Sequence, residues 1–121
     1  MLHLTPAMLE SAYELLRTTP PFRSWSLPDP DDVEFRVSRS GHTTARLILT
    51  TGKFPVIEVS SRVCGTLMPL IMAVAHEMAH LHEHLSGDMR ADCAHGKAYR
   101  KRAKRVCDIH LFDPMQFGGL E

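Results

Sequence analysis

The stretch Val74–Leu85, VAHEMAHLHEHL, contains four of the eight histidines of the chain together with two glutamates. His76 and His80 are four positions apart, so on a helix their side chains lie one turn above each other and can share one metal ion. With Glu77 they complete the string HEMAH, an HExxH motif. In such a motif the two histidines bind zinc, and the glutamate is a general base that activates a water molecule.

A second zinc motif overlaps the first. His80, Glu83 and His84 spell HxxEH, the inverted motif, whose two histidines are again one turn apart. Both pairs cannot bind one ion, because His76 and His84 are separated by ~12 Å of helix rise. Inverted-motif enzymes take a third ligand from a glutamate far downstream, and after Glu83 the chain has only Glu121. The sequence therefore favours the HExxH pair.

A catalytic zinc site needs a third protein ligand from outside the motif. The metzincin pattern would place a histidine six positions after His80, where this chain has Ser86. The candidate that remains is His95, fifteen positions after His80. Asp92 and Cys93 lie close enough to His95 in the sequence to compete with it as ligands.

The pair of motifs HEMAH (76–80) and HGKAY (95–99) resembles the SprT-like zinc metallopeptidases, which include the Spartan-type DNA–protein crosslink proteases. In that family HExxH is followed, after a loop of about this length, by a third zinc histidine in an HGxxF-type motif. The order, the spacing and the aromatic residue at Tyr99 all match, and the resemblance covers roughly Val56 to Val106. The C-terminal zinc ribbon of many members is not among these residues.

The resemblance implies that His76, His80 and His95 bind Zn²⁺ and that Glu77 is the catalytic base of an endopeptidase with a small zincin-like α+β fold. It also points to DNA-associated proteins as substrates. Independently of the family, three neutral imidazoles leave a tetrahedral zinc ion with one open position, at which a water molecule loses its proton near neutral pH. Glu77 would take that proton and deliver it to the leaving amine.

Most sites of this kind contain a second electrophile, and the sequence offers four candidates: His82, His84, Tyr99 and Arg100. Tyr99 lies one turn after His95, where a tyrosine more often packs beside a metal site than takes part in catalysis. His82 and His84 are expected on the solvated side or rim of the helix, without a direct role in metal binding.

The elements before this helix must position it. Thr5 and Pro6 are typical of an N-cap and a first helical position, and Met8, Leu9, Ala12, Leu15 and Leu16 then recur at helical spacing, so a helix is predicted to about Arg17. The segment TTPPFRSWSLPDPDD has four prolines and predicts an ordered loop, with Phe22 and Trp25 as packing anchors.

Three short segments predict a β-sheet. Val33, Phe35 and Val37 alternate with polar residues, and the turn RSGH leads into TTARLILTT, which predicts a hairpin between these two segments. The third strand is PVIEVS (55–60), after the turn TGK. Proteases commonly hold a substrate backbone against an exposed strand edge, and PVIEVS is the candidate edge.

From Gly65 onward the apolar residues follow a helical period. The stripe that predicts the metal helix, opposite the histidine pair, is Leu67, Leu70, Ile71, Val74, Met78, Leu81 and Leu85. SGDMRADCA interrupts this pattern, a third helix is predicted from about His95 to Cys107, and DIHLFDPMQFGGLE is predicted to be a tail with turns. The fold class is therefore α+β, a small sheet against helices.

The third helix is strongly basic. A run of this kind is usually a solvated helix face, but beside a metal cleft it could hold a phosphate backbone with steep salt dependence. The candidate nucleic-acid contacts are Lys97, Arg100, Lys101, Arg102, Lys104 and Arg105.

Composition sets broader limits. A chain of 121 residues, 44% of them hydrophobic, has the size of one compact domain, residues 1–121. The net charge is zero, so overall charge gives no case for a nucleic-acid or membrane partner. Three widely spaced cysteines without a CxxC pair, together with an N-terminus unlike a signal peptide, predict a cytoplasmic protein.

Three classes of function therefore remain. The favoured one is a zinc endopeptidase acting on a protein or peptide. The second is a non-catalytic binding module in which zinc only ties the second and third helices together, and the third is a nucleic-acid-binding protein that uses the basic helix 97–105. Glu77 distinguishes the first two, because a purely structural zinc site has no use for a base.

Overall fold

The computed structural model describes residues 3–88 and 95–120. They form an α+β fold, as predicted, in which a three-stranded mixed sheet packs against helices. Two single turns of 3₁₀ helix, Phe22–Ser24 and Pro30–Asp32, lie between α1 and the sheet. The other elements, in chain order, are α1 (Pro6–Arg17), β1 (Glu34–Ser38), β2 (Ala45–Ile48), β3 (Val56–Ser60), α2 (Leu67–Leu85), α3 (Lys97–His110) and α4 (Pro114–Phe117).

Helix α1 begins and ends where the sequence predicts. The Thr5 hydroxyl accepts a hydrogen bond from the backbone N–H of Met8 and so caps the helix, and Pro6 occupies its first position. Leu15 was expected on the apolar face but is 61% exposed. The buried face of α1 includes Tyr13 instead, which is fully buried. The buried residues of α1 are Leu9, Ala12, Tyr13 and Leu16.

The sheet has the strand order β1-β3-β2, with β3 parallel to β1 and antiparallel to β2. The predicted hairpin between β1 and β2 is therefore wrong, since these strands lie on opposite sides of β3. All five residues of β3 are buried, as expected for the central strand of a sheet that is covered on both faces. Its one acidic residue, Glu58, is paired from both sides, with Arg46 at 2.7 Å and Arg36 at 4.0 Å.

The central position of β3 corrects a second prediction. PVIEVS cannot offer a free edge to a substrate, because the backbone groups of β3 are paired with both neighbouring strands. Within the described part of the chain, β2 pairs on one side only and is an edge strand. Its first residue, Ala45, lies opposite Val59 and lines a cleft with residues of α2.

Helix α2 is buried on nearly all sides. It contacts α1, α3, α4, β2 and β3, so Met72, Ala73, Ala75 and Ala79 are buried in addition to the predicted stripe. The ends of that stripe are not buried: Leu67 is 60% exposed and Leu85 is 51% exposed. Polar side chains on such a helix need partners inside the protein.

Helix α3 starts two residues after the predicted start and continues one turn beyond the predicted end, to His110, where Leu111 in a left-handed conformation ends it. The segment predicted as a tail contains α4, which packs against α2 and α3. In the described residues, no helix combines the length and the apolar character needed to cross a membrane.

Candidate metal centre

His76 and His80 project from α2 with their ring centroids 5.0 Å apart. His95, just before α3, brings a third imidazole whose centroid is 5.1 Å from each of the other two. One ring nitrogen from each histidine can be chosen so that all three lie within 4.8 Å of one another. The structure thus brings together the three histidines that the sequence singled out. Asp92 and Cys93, the competing candidates, lie outside the described residues.

Hydrogen bonds orient two of the three imidazoles. His76 Nδ1 lies 2.9 Å from the carbonyl oxygen of Phe117, and a carbonyl can only accept, so the His76 proton belongs on Nδ1. His80 Nδ1 lies 3.0 Å from Glu83 Oε1, which by the same argument accepts from it. Both rings therefore keep Nε2 free of a proton, and such fixed tautomers are typical of histidines that bind metals.

The spacing of one pair of nitrogen atoms, from His76 and His95, fits a metal ion. Nε2 of His95 and Nε2 of His76 are 3.3 Å apart. Two imidazole nitrogens bound to one tetrahedral zinc ion at ordinary bond lengths are roughly 3.3–3.4 Å apart. Burial, and to a lesser degree the charge of His95, lower the pKa of His80 to about 4. His80 is therefore neutral at neutral pH, as a metal ligand must be.

Glu77 lies beside this cluster, with Oε2 4.0 Å from His76 Nε2. The residue is 5% exposed, and burial raises the pKa of its carboxyl to about 8. A cation held by the three histidines would lower this pKa, because a nearby opposite charge favours the carboxylate. The pKa of Glu77 therefore depends on whether the three histidines hold a cation.

A cleft of about 440 Å³ opens next to His76 and Glu77. It runs between the start of β2, at Ala45, and the first half of α2, and Phe117 closes one side. Apart from these two site residues its walls are mostly apolar, including Val63, Pro69, Met72 and Ala73. An extended chain could reach Glu77 through this cleft.

Tyr99 packs against all three histidines. Its ring is stacked on His80 at 4.3 Å and tilted against His95 at 4.6 Å and His76 at 5.0 Å. Its hydroxyl donates to the Gly118 carbonyl at 2.9 Å and lies 2.7 Å from His76 Nδ1. These contacts support the predicted packing role, in which the tyrosine holds the imidazoles in place.

The other candidates for a second electrophile are also engaged or lie outside the cluster. Arg100 donates from Nη1 to the carbonyl oxygen of Gly119 at 3.1 Å. His82 stacks on Trp25 with ring centroids 4.4 Å apart, and His84 is exposed one turn beyond His80. His82 and His84 thus lie on the rim of α2, as predicted, and the identity of an electrophile stays a prediction.

The six basic residues of α3 do not form one surface. Arg100 turns toward the metal centre, whereas Arg102 donates to His82 Nδ1, to the Ala98 carbonyl and to Asp88. Lys97, Lys101, Arg102 and Arg105 line a second cleft together with Trp25, His82 and Asp88, and Lys104 is exposed outside it. Phe22 and Trp25 are packing anchors as predicted: Phe22 is fully buried, and the edge of its ring meets Trp25.

Two parts of the centre were missed by sequence reasoning. Glu83 was weighed only as part of the inverted motif, although its position three residues after His80 allows the hydrogen bond that the structure shows. The backbone of Phe117–Gly119 was taken for a tail, and the only signal for its role was the glycine pair, which permits close approach to a neighbouring side chain.

Compared with protein-family models, with curated proteins and with solved structures, the chain matches none.

Proposed function

We propose that this protein is a zinc-dependent endopeptidase of the SprT-like class, with a small zincin-like fold. One observation carries the proposal: a buried carboxyl, Glu77, lies beside three imidazoles whose ring nitrogens converge, and Glu77 and His76 line one cleft. The order of the motifs HEMAH and HGKAY in the sequence supports the same class.

His76, His80 and His95 would hold the zinc ion. When bound, it supplies a Lewis acid that polarises the scissile carbonyl and lowers the pKa of a water molecule to ~7. Glu77 is the only acidic side chain among the described residues that line the cleft. It would take a proton from the attacking water and deliver it to the leaving amine, which is general base and then general acid catalysis.

The substrate would lie along β2 rather than along PVIEVS. β2 is an edge strand whose start borders the cleft, so a peptide paired with its backbone would pass next to Glu77. Side chains of that peptide would meet the apolar wall formed by Val63, Met72 and Ala73. Shift mapping by NMR with a peptide should therefore perturb residues 44–48 more than residues 56–60.

Zinc content is the first test. Native mass spectrometry of protein purified without added metal should show one zinc per chain, and His95→Ala should lose or weaken it. His84→Ala is the matched control, because it removes another exposed histidine, one that lies outside the cluster. Well-folded wild type that stays free of zinc after zinc is added back would contradict the proposal.

Cleavage of a peptide library is the second test. Wild type loaded with zinc should cleave it, and Glu77→Gln, with the same zinc content, should be at least 100-fold slower, as expected for the loss of a general base. Equal zinc binding without any cleavage by wild type would instead favour the non-catalytic zinc-stabilised module.

The second cleft supports an additional candidate function, contact with nucleic acid. Lys97, Lys101 and Arg105 are exposed along one side of α3, and Trp25 lies in the same cleft. Such a cleft could hold a phosphate backbone and would direct the endopeptidase to DNA-associated proteins.

Electrophoretic retardation of single- and double-stranded DNA at low salt tests this second candidate. Lys101→Glu should weaken binding several-fold, and Lys53→Glu, the same change in the exposed turn between β2 and β3, should weaken it less. The absence of salt-sensitive binding in wild type would remove this candidate without affecting the zinc site.

A further inference from the structure

The segment Phe117–Gly119, which begins at the last residue of the short helix α4, presents three successive carbonyl groups to the metal centre. Each accepts one hydrogen bond from a residue of the centre or its border. The Phe117 carbonyl accepts from His76 Nδ1 at 2.9 Å, the Gly118 carbonyl from the Tyr99 hydroxyl at 2.9 Å, and the Gly119 carbonyl from Arg100 Nη1 at 3.1 Å.

We propose that Phe117–Gly119 is a positioning element of the metal centre, which fixes the imidazoles of His76 and His95 in the orientation that binds metal. The inference rests on the proposed zinc site and adds to it a part of the chain that lies outside both motifs. The segment touches no reacting atom in this proposal, because it acts through the two histidines.

The first argument concerns the tautomer of His76. With its proton held on Nδ1 by the Phe117 carbonyl, the ring must present Nε2 toward His95. The Tyr99 hydroxyl reinforces this state. It donates its own hydrogen to the Gly118 carbonyl and therefore acts as an acceptor toward His76 Nδ1. Without the segment, His76 Nδ1 would lose the carbonyl that holds its proton there.

The second argument concerns the space at Gly119. A Cβ atom there would lie 2.5 Å from Tyr99 Cε2 and 2.8 Å from His95 Cγ, closer than real Cβ contacts. The backbone therefore packs directly against both rings, which only a residue without a side chain permits. Gly119 also has a φ of +83°, which favours glycine. The segment thus forms the wall that stops the His95 ring from swinging away.

Gly119→Ala tests the proposal, because the added methyl group must push the segment or the two rings apart. The affinity for zinc, measured by competition with a chromophoric chelator, should fall roughly 10- to 100-fold, the range expected when an outer hydrogen-bond partner of a metal ligand is lost. Gly52→Ala is the matched control: its φ of +79° carries the same backbone strain, but nothing lies within 4 Å of the added methyl group. Its zinc affinity should stay within about twofold of wild type.

Tyr99→Phe is a second variant that keeps the aromatic ring and removes the hydroxyl linking Gly118 to His76. It should weaken zinc binding several-fold, and it decides the matter if Gly119→Ala does not fold by circular dichroism. The proposal would be overturned if both variants bound zinc with wild-type affinity. If Gly119→Ala is unfolded, wild-type affinity in Tyr99→Phe alone would overturn it.

A tautomer measurement separates this proposal from the proposed function. Long-range ¹H–¹⁵N correlation spectra of the metal-free protein should show the His76 proton on Nδ1 in wild type and a mixture of tautomers in Gly119→Ala. If wild type binds no zinc, the proposed function fails, yet a mixture of tautomers in Gly119→Ala still supports the positioning role. An unchanged tautomer in Gly119→Ala, on the other hand, refutes the role even if zinc binds.

Discussion

The imidazole of His80 and the carboxylate of Glu83 form a buried hydrogen bond of 3.0 Å, one turn apart on α2. Glu83 is 1% exposed, and within the described residues its second oxygen has no hydrogen-bond partner. A buried carboxyl with one free oxygen is costly in a protein core. Its one evident use here is to orient His80, so the glutamate belongs with the cluster of three histidines rather than with the inverted motif.

Glu83→Ala should therefore weaken zinc binding roughly 10-fold or more, because it leaves His80 Nδ1 without its acceptor. Glu83→Gln, which keeps an acceptor oxygen at the same place, should retain most of the affinity. The measurement is the dissociation constant for zinc of both variants against wild type. Equal affinities in all three proteins would show that Glu83 does not position His80.

The metal-free protein should lose stability as the pH rises from about 6.5 to 8. The folded state raises the pKa of Glu77 to about 8 by burial, so it retains a proton that the unfolded chain releases near pH 4.5. The lowered pKa of His80, about 4 against 6.5, gives the opposite slope at acidic pH and offsets this trend below 6.5. Over the remaining 1.5 pH units the expected loss is roughly 2 kcal/mol.

Urea unfolding in the presence of a chelator, at pH 6.5 and at pH 8, measures this loss. Glu77→Gln should be nearly insensitive over the same interval. Burial also raises the pKa of Glu83, which adds a slope of the same sign to both proteins, so the difference between the two slopes isolates Glu77. Parallel slopes would mean that Glu77 is ionised in the metal-free fold.

Ala73→Leu should narrow the cleft beside the general base. Ala73 lies one turn before Glu77 and lines the apolar wall, so a larger side chain there occupies space that the proposed substrate needs. For peptides with a bulky apolar residue at the cleft we expect kcat/KM to fall roughly 10-fold or more, with an unchanged zinc content. Ala7→Leu, at an exposed position of α1, is the control for the helix substitution. A matching fall in the control would assign the effect to folding.

The strand order predicts that truncating two neighbouring residues to alanine lowers the free energy of unfolding by unequal amounts. Ile57 lies fully buried at the centre of the sheet, directly opposite Leu47 on the edge strand β2, which is half-buried. Ile57→Ala should destabilise the fold by about 3 kcal/mol and Leu47→Ala by roughly half of that. Thermal or denaturant unfolding of the two variants measures the difference, and equal costs would argue against a central β3.

Local patterns predicted the helices well. Thr5 and Pro6 specify the start of α1 through bonds that stay within one turn. The period of the apolar residues placed His76 and His80 on one face of α2, where the structure has them. His95 was found because a second motif marked it, even though α3 starts two residues later than predicted.

Non-local relations could not be predicted from one sequence. The strand that takes the central position, β3, is buried on both faces. In such a strand the alternation of apolar and polar residues no longer marks which face is buried, so the sequence does not reveal the strand order. The contact between Phe117 and His76 joins residues 41 positions apart through a backbone carbonyl, which no side-chain pattern encodes. For the same reason Phe117–Gly119 looked like a tail.

The hydrogen bond between His76 and Phe117 can form only late in the synthesis of the chain. The ribosome completes HEMAH and HGKAY before it adds residues 117–119, so for that interval the nascent chain carries all three histidines while His76 lacks the carbonyl that orients it. A product stopped by a nonsense codon in this interval would keep both motifs intact and still have an unfixed imidazole. Motif content alone is therefore a poor guide to whether a shortened copy of this chain is functional.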